Sequence, residues 1–149
     1  MLLQRESNPA LNTVTAYGPD YIQINEVDYR HAVHFGPEGA VTQWQVQRVA
    51  EITTDALRTA AGLEPDPAAS PLDFLDDGPR ERPANAPEVM LVGTGLSQHL
   101  LPMAVQKPLL QMGIGIEAMT TEAAARTYNI LMAEGRRVVA ALLPNKEIE

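Results

Sequence analysis

Short apolar runs broken by turn residues fill the first third of this chain, and longer runs with helical spacing fill the last third. Residues 13–17 read as a short strand, Gly18-Pro19-Asp20 as a turn, and Tyr21-Ile22-Gln23-Ile24 as an alternating strand. Asn25-Glu26 can turn the chain, and residues 29–35 supply a second arm, closed by Gly36-Pro37-Glu38-Gly39. A β-hairpin or meander is the expected result. Residues 41–49 hold Trp44, the only tryptophan; Val41, Val46 and Val49 favour a further strand, while the polar residues between them leave a helix open. A helix should follow, with Thr53 or Thr54 as N-cap, Asp55 at its positive start and Gly62 at its stop.

From residue 87 onwards the pattern is that of a compact α/β unit. Residues 89–92 (Val-Met-Leu-Val) form a continuous apolar run, as expected of a strand covered on both faces. Residues 103–112 read as a helix ending at Gly113, with Pro108 either kinking it or marking the first turn of a shorter one. Residues 114–119 are the next strand. Thr120 is a good N-cap for a helix through Glu134, with Gly135 as its stop, and residues 137–143 are a last strand ended by Pro144. Strands alternating with helices imply right-handed crossovers and a largely parallel sheet. Projected at about 100° per residue, Ala124, Ala125, Tyr128, Leu131 and Met132 share the face that packs on this sheet, whereas Glu122, Arg126 and Asn129 share another. Glu122 and Arg126, four apart with the acid first, are placed to pair.

Between these regions, residues 63–86 change character. Pro65, Pro67, Pro71, Pro79 and Pro83 are interleaved with acids, and Leu72, Phe74 and Leu75 are the only sizeable apolar cluster. Proline removes donors and opposes both helix and inner strand, so a long mobile loop is expected, either a passive insertion or a docking segment. Residues 1–12 read as a flexible start and 145–149 as a flexible tail, flanking one domain over 1–149.

Composition narrows the function classes. The net charge of −8 disfavours unspecific binding to nucleic acid or an anionic membrane. The absence of cysteine removes disulfides, thiolate metal sites and a cysteine nucleophile. No secretory signal pattern opens the chain and no apolar run has bilayer-spanning length, so a cytoplasmic protein without a transmembrane segment is expected.

The chemical motifs are sparse. Gly93-Thr94-Gly95 follows a strand, but Gln98 stands where a dinucleotide fingerprint needs its third glycine, which favours a tight strand exit over a phosphate loop. His31 and His34, three apart in an expected strand, would face opposite ways and share no metal. His99 lies near the strand ends where open α/β sheets place sites, with Ser97 two residues away but no Gly-x-Ser-x-Gly elbow. No cofactor or metal is expected. If there is a ligand or partner site, its residues are Thr94, Gly95, His99, Arg126 and Asn129, with Arg126 and Asn129 able to recognise a carboxylate, a phosphate or a partner's backbone.

Gly93-Thr94-Gly95, Gly113-Ile114-Gly115-Ile116-Glu117-Ala118-Met119-Thr120, Arg126-Thr127-Tyr128-Asn129-Ile130-Leu131 and Glu134-Gly135-Arg136-Arg137-Val138 together resemble a widespread domain family of unknown function. Its members include a mitochondrial respiratory complex I assembly factor and an adipogenesis-associated domain protein. The likeness is strong over 89–144 and weaker over 21–44, and residues 63–86 are longer than the family pattern. It implies a three-layer α/β fold: a central mixed, largely parallel sheet, flanking helices and a small N-terminal β-hairpin layer. It supplies no catalytic residues. The resulting expectation is a non-enzymatic binding or assembly protein with a protein partner; the alternative is a small-molecule binder or enzyme with a polar site at the sheet edge.

Overall fold

The computed structural model describes residues 11–63 and 85–145. Most of the loop expected over 63–86, residues 1–10 of the expected start and residues 146–149 of the expected tail lie outside these. The described residues build two sheets and three helices, in the order β1 (Val14–Tyr17), β2 (Ile22–Ile24), β3 (Val27–Tyr29), β4 (Val33–Phe35), β5 (Thr42–Gln43), α1 (Thr54–Ala60), β6 (Val89–Gly93), α2 (Met103–Gln111), β7 (Gly115–Met119), α3 (Thr121–Ala133) and β8 (Val138–Leu142).

The larger sheet has the order β5-β4-β8-β6-β7. β6 pairs parallel with both β7 and β8, while β4 joins antiparallel to β8 and β5 antiparallel to β4. The sheet is thus mixed, with only β4 running against the other strands. β6 and β8 are covered on both faces because their side chains alternate between two cores. Met90, Val92 and Ala141 join Leu57, Leu109 and Trp44 beneath α1 and α2. Leu91, Val138, Ala140 and Leu142 join Tyr128, Ala124 and Ala125 of α3 on the other face. Val14, Ile22 and Ile24 enter this second core from the small antiparallel sheet β1-β2-β3. The layers are therefore α1 and α2, the five-stranded sheet, then α3 with the small sheet.

The local signals operate as read. The Thr53 hydroxyl accepts from the Ala56 amide and the Thr120 hydroxyl from the Ala123 amide, so both side chains cap their helices. Pro108 sits inside α2, where it withholds one helical donor from the middle of the element.

Three expectations need correction. Residues 29–35 are not one arm. The chain turns a corner at 30–32, leaving β3 in the small sheet while β4 crosses to the large one, because only there can Val33 and Phe35 both reach the core. His31 lies in that corner, its Nδ1 2.9 Å from the Ala32 carbonyl and its ring edge-on to Tyr29, so it shares no strand with His34. Residues 41–49 supply the two-residue β5 and, at Val49, the first residue of a short 3-10 helix over Val49–Glu51: Trp44 turns inward and donates its indole N–H to the Ala56 carbonyl at 3.1 Å, which ties the segment to α1. Residues 11 and 12, counted with the expected start, are held in place. Asn12 is 6% exposed; its amide donates to the Gly36 and Gly39 carbonyls, its Oδ1 accepts from Asn25, and its backbone carbonyl accepts from the Tyr128 hydroxyl.

Candidate interaction surface

Sharp exits from β6 and into α3 shape one end of the large sheet. A Cβ on Gly93 would lie 2.8 Å from Thr121 Oγ1 and 2.9 Å from both Thr121 Cα and Leu142 Cδ2, so glycine is what lets the start of α3 sit against the strand. Gly95 has φ +89, the left-handed region that glycine occupies without strain. Its N–H donates to Thr121 Oγ1 and its carbonyl accepts from the Thr121 amide, and the same hydroxyl donates to the Leu143 carbonyl. The Gly-Thr-Gly turn is thereby a clamp for α3.

Thr94 clamps the following loop. Its buried hydroxyl accepts from the His99 amide at 3.2 Å and lies 2.7 Å from the Ser97 carbonyl and 3.1 Å from that of Met119, donating to one of them. Gln98 reaches from the same loop to the Ala118 carbonyl at 3.0 Å. What the clamped loop presents is apolar: Leu96 is 76% exposed, Leu100 84% and Met103, at the start of α2, 63%. Beside Leu100 a groove of about 430 Å³ is lined by His99, Arg48, Val49, Ile52 and Pro102. A second groove, of about 350 Å³, lies at the opposite end of the sheet among Met132, Gly135, Arg136 and Val138.

The five expected site residues are thus distributed over different surroundings. Thr94, Gly95 and His99 share one turn, and the His99 side chain faces a groove. Asn129 stands about 12 Å along α3 from Thr121. Its Oδ1 accepts from the Val14 amide at 3.0 Å and its Nδ2 donates to the Val14 carbonyl at 2.8 Å, so the side chain imitates a neighbouring strand for β1. Arg126 is exposed and pairs with Glu122 at 3.7 Å. Leu96, Leu100 and Met103 escaped the sequence reading; Leu101 beside them is buried, so their type and spacing alone do not mark which are exposed.

A model for a protein family of unknown function (DUF498/DUF598) matches residues 14–143. The chain belongs to this family. An uncharacterized protein from Rhodobacter capsulatus is 44% identical over 78 residues, which are 52% of this chain and 63% of that protein. The human protein named NADH dehydrogenase [ubiquinone] 1 alpha subcomplex assembly factor 3 is 30% identical over 143 residues, 96% of this chain and 66% of that one. The chain therefore spans less than two thirds of the Rhodobacter relative's length. Among solved structures, that of a Bordetella pertussis protein described as a Mth938-like domain superposes with a TM-score of 0.74 at 60% identity, over 93% of this chain and 89% of that one. Among the described residues no helix is long and apolar enough to cross a membrane.

Proposed function

We propose that this protein is a non-enzymatic binding factor with an assembly role, and that a protein partner docks on Leu96, Leu100 and Met103. The observation that carries this reading is the exposure of Leu96 and Leu100 on a loop that Thr94 and Gln98 hold in place, with Met103 exposed at the start of the helix that follows. Apolar side chains displayed on a preorganised backbone favour association, because little loop entropy remains to be lost on binding. The name of the human relative supports the class of role, and suggests a subunit of a respiratory or other multi-subunit complex as the partner. The chain's charge of −8 disfavours nucleic acid as that partner.

The alternative, a small-molecule site built from Thr94, Gly95, His99, Arg126 and Asn129, is favoured by one observation, the groove that His99 lines. Affinity capture from the source cells separates the two. Proteins held by the wild type and by a Val27→Asp control, but lost with Leu100→Asp, support the docking surface. Equal capture by all three chains excludes it, and a co-purifying metabolite lost with His99→Ala would favour the alternative.

A further inference from the structure

β7 is the outer strand of the large sheet on the side away from β5, and its backbone shows which groups look outwards. The Gly115 amide bonds to the Glu88 carbonyl and the Met119 carbonyl accepts from Thr94, so odd-numbered residues of β7 point their N–H and C=O at β6. Those of Ile116 and Ala118 must then point away, since backbone groups alternate along a strand. The Gln98 bond to the Ala118 carbonyl confirms this parity, and among the described residues it is the group bonded to this outer edge. Among the described residues an open row remains: the Ile116 N–H, the Ile116 carbonyl and the Ala118 N–H.

We infer that β7 accepts an extended segment of a partner polypeptide as a sixth strand, one that alternates apolar with basic residues. The spacing of the donors and acceptor matches an extended chain; a helix has no free backbone groups to offer it. The side chains choose the composition. Ile116 and Ala118 pack towards the α1–α2 core and leave partly open apolar surface at the edge. Glu117, on the α3 side, is exposed and no ion pair reaches it among the described residues. An added strand therefore meets an apolar row on one face and a lone carboxylate on the other, which calls for lysine or arginine on that face. A second copy is the poorer occupant. A symmetric β7–β7 pairing sets two Glu117 carboxylates on one face and brings together two chains of charge −8. Gln98 acts as the guard of this edge, covering one carbonyl until a strand replaces it. This inference goes beyond the apolar loop, for it uses backbone groups of another element.

The test is a titration of the isotope-labelled full chain, followed by amide NMR, with the capped peptide Lys-Val-Lys-Val-Lys-Val. Expected are shifts and slowed solvent exchange at Ile116 and Ala118, binding weaker by up to about fivefold for the glutamate counterpart, and reversal of that preference in Glu117→Lys. A peptide with proline for its central valine should leave both amides unmoved. The inference is overturned if these amides stay unmoved at millimolar peptide, if the proline peptide acts equally, or if they shift with protein concentration alone, which would mark a second copy as the occupant. Shifts confined to Leu96 and Leu100 would likewise overturn it while leaving the apolar docking surface standing.

Discussion

At the residue scale, Arg126 and Asn129, which share a face of α3 with Glu122, have different surroundings. Asn129 completes the backbone pairing of Val14 with two hydrogen bonds in a half-buried setting. Asn129→Leu should lower stability by about 1–3 kcal/mol in denaturant unfolding, since it strands a buried donor and acceptor. Arg126 is exposed and its bond to Glu122 is long, so Arg126→Ala should move the unfolding free energy by less than about 0.5 kcal/mol. A larger loss in the same assay would give Arg126 a structural role that its contacts do not suggest. Gly93 is the third decisive residue. Gly93→Ala forces its Cβ against the Thr121 backbone and should cost about 1–3 kcal/mol, loosening the start of α3. Hydrogen exchange at the Thr121 amide would report that loosening directly.

At the element scale, the β2–β3 hairpin contains a local compromise. Asn25 and Glu26 have φ of 53 and 68 in a two-residue turn. Asparagine tolerates this region and here also binds Thr13 and Asn12, but glutamate gains no such compensation. Glu26→Gly should therefore stabilise the protein by about 0.5–1 kcal/mol; an unchanged or lowered thermal midpoint would show that the Glu26 amide bond to Thr15 depends on the side chain. Caps, stops and buried strands of the C-terminal half were legible because each has a local cause: a threonine before a helix, a glycine after it, a run of apolar residues. The break within 29–35 was not legible. Nothing in Tyr29-Arg30-His31-Ala32 distinguishes a continuing strand from a corner, and only the demand of Val33 and Phe35 for the large sheet settles it.

At the scale of the whole molecule, stability should fall on the acid side through His34. Burial in the large sheet holds its imidazole below the ordinary value. The unfolded chain then takes up the proton more readily than the folded one, so stability is full above about pH 6.5 and declines as the pH drops through that value towards the lower folded one. His34→Gln should flatten the change in unfolding midpoint between about pH 7 and about pH 5, measured by circular dichroism. Glu88 acts lower. The Arg137 backbone N–H and the Arg136 guanidinium depress its carboxyl, so its contribution is present above about pH 4.3 and is lost only as the pH falls further.

The sequence by itself determined the α/β class, the helix limits, the glycine-led exit from β6 and the core stripe of α3, because these follow from neighbours a few residues apart. Its projection of Leu131 into that stripe survives in weakened form, for Leu131 is only partly buried at the margin of the core that encloses Tyr128. Tertiary structure alone decided that four of five large-sheet strands run together with β4 reversed, that Asn12 ties the chain's start to two distant turns and α3, and that Asn129 faces a strand rather than solvent. It also decided that Leu96, Leu100 and Met103 remain uncovered. Each of these depends on which surfaces meet across long stretches of chain, and periodicity carries the face a residue occupies without naming what that face will meet.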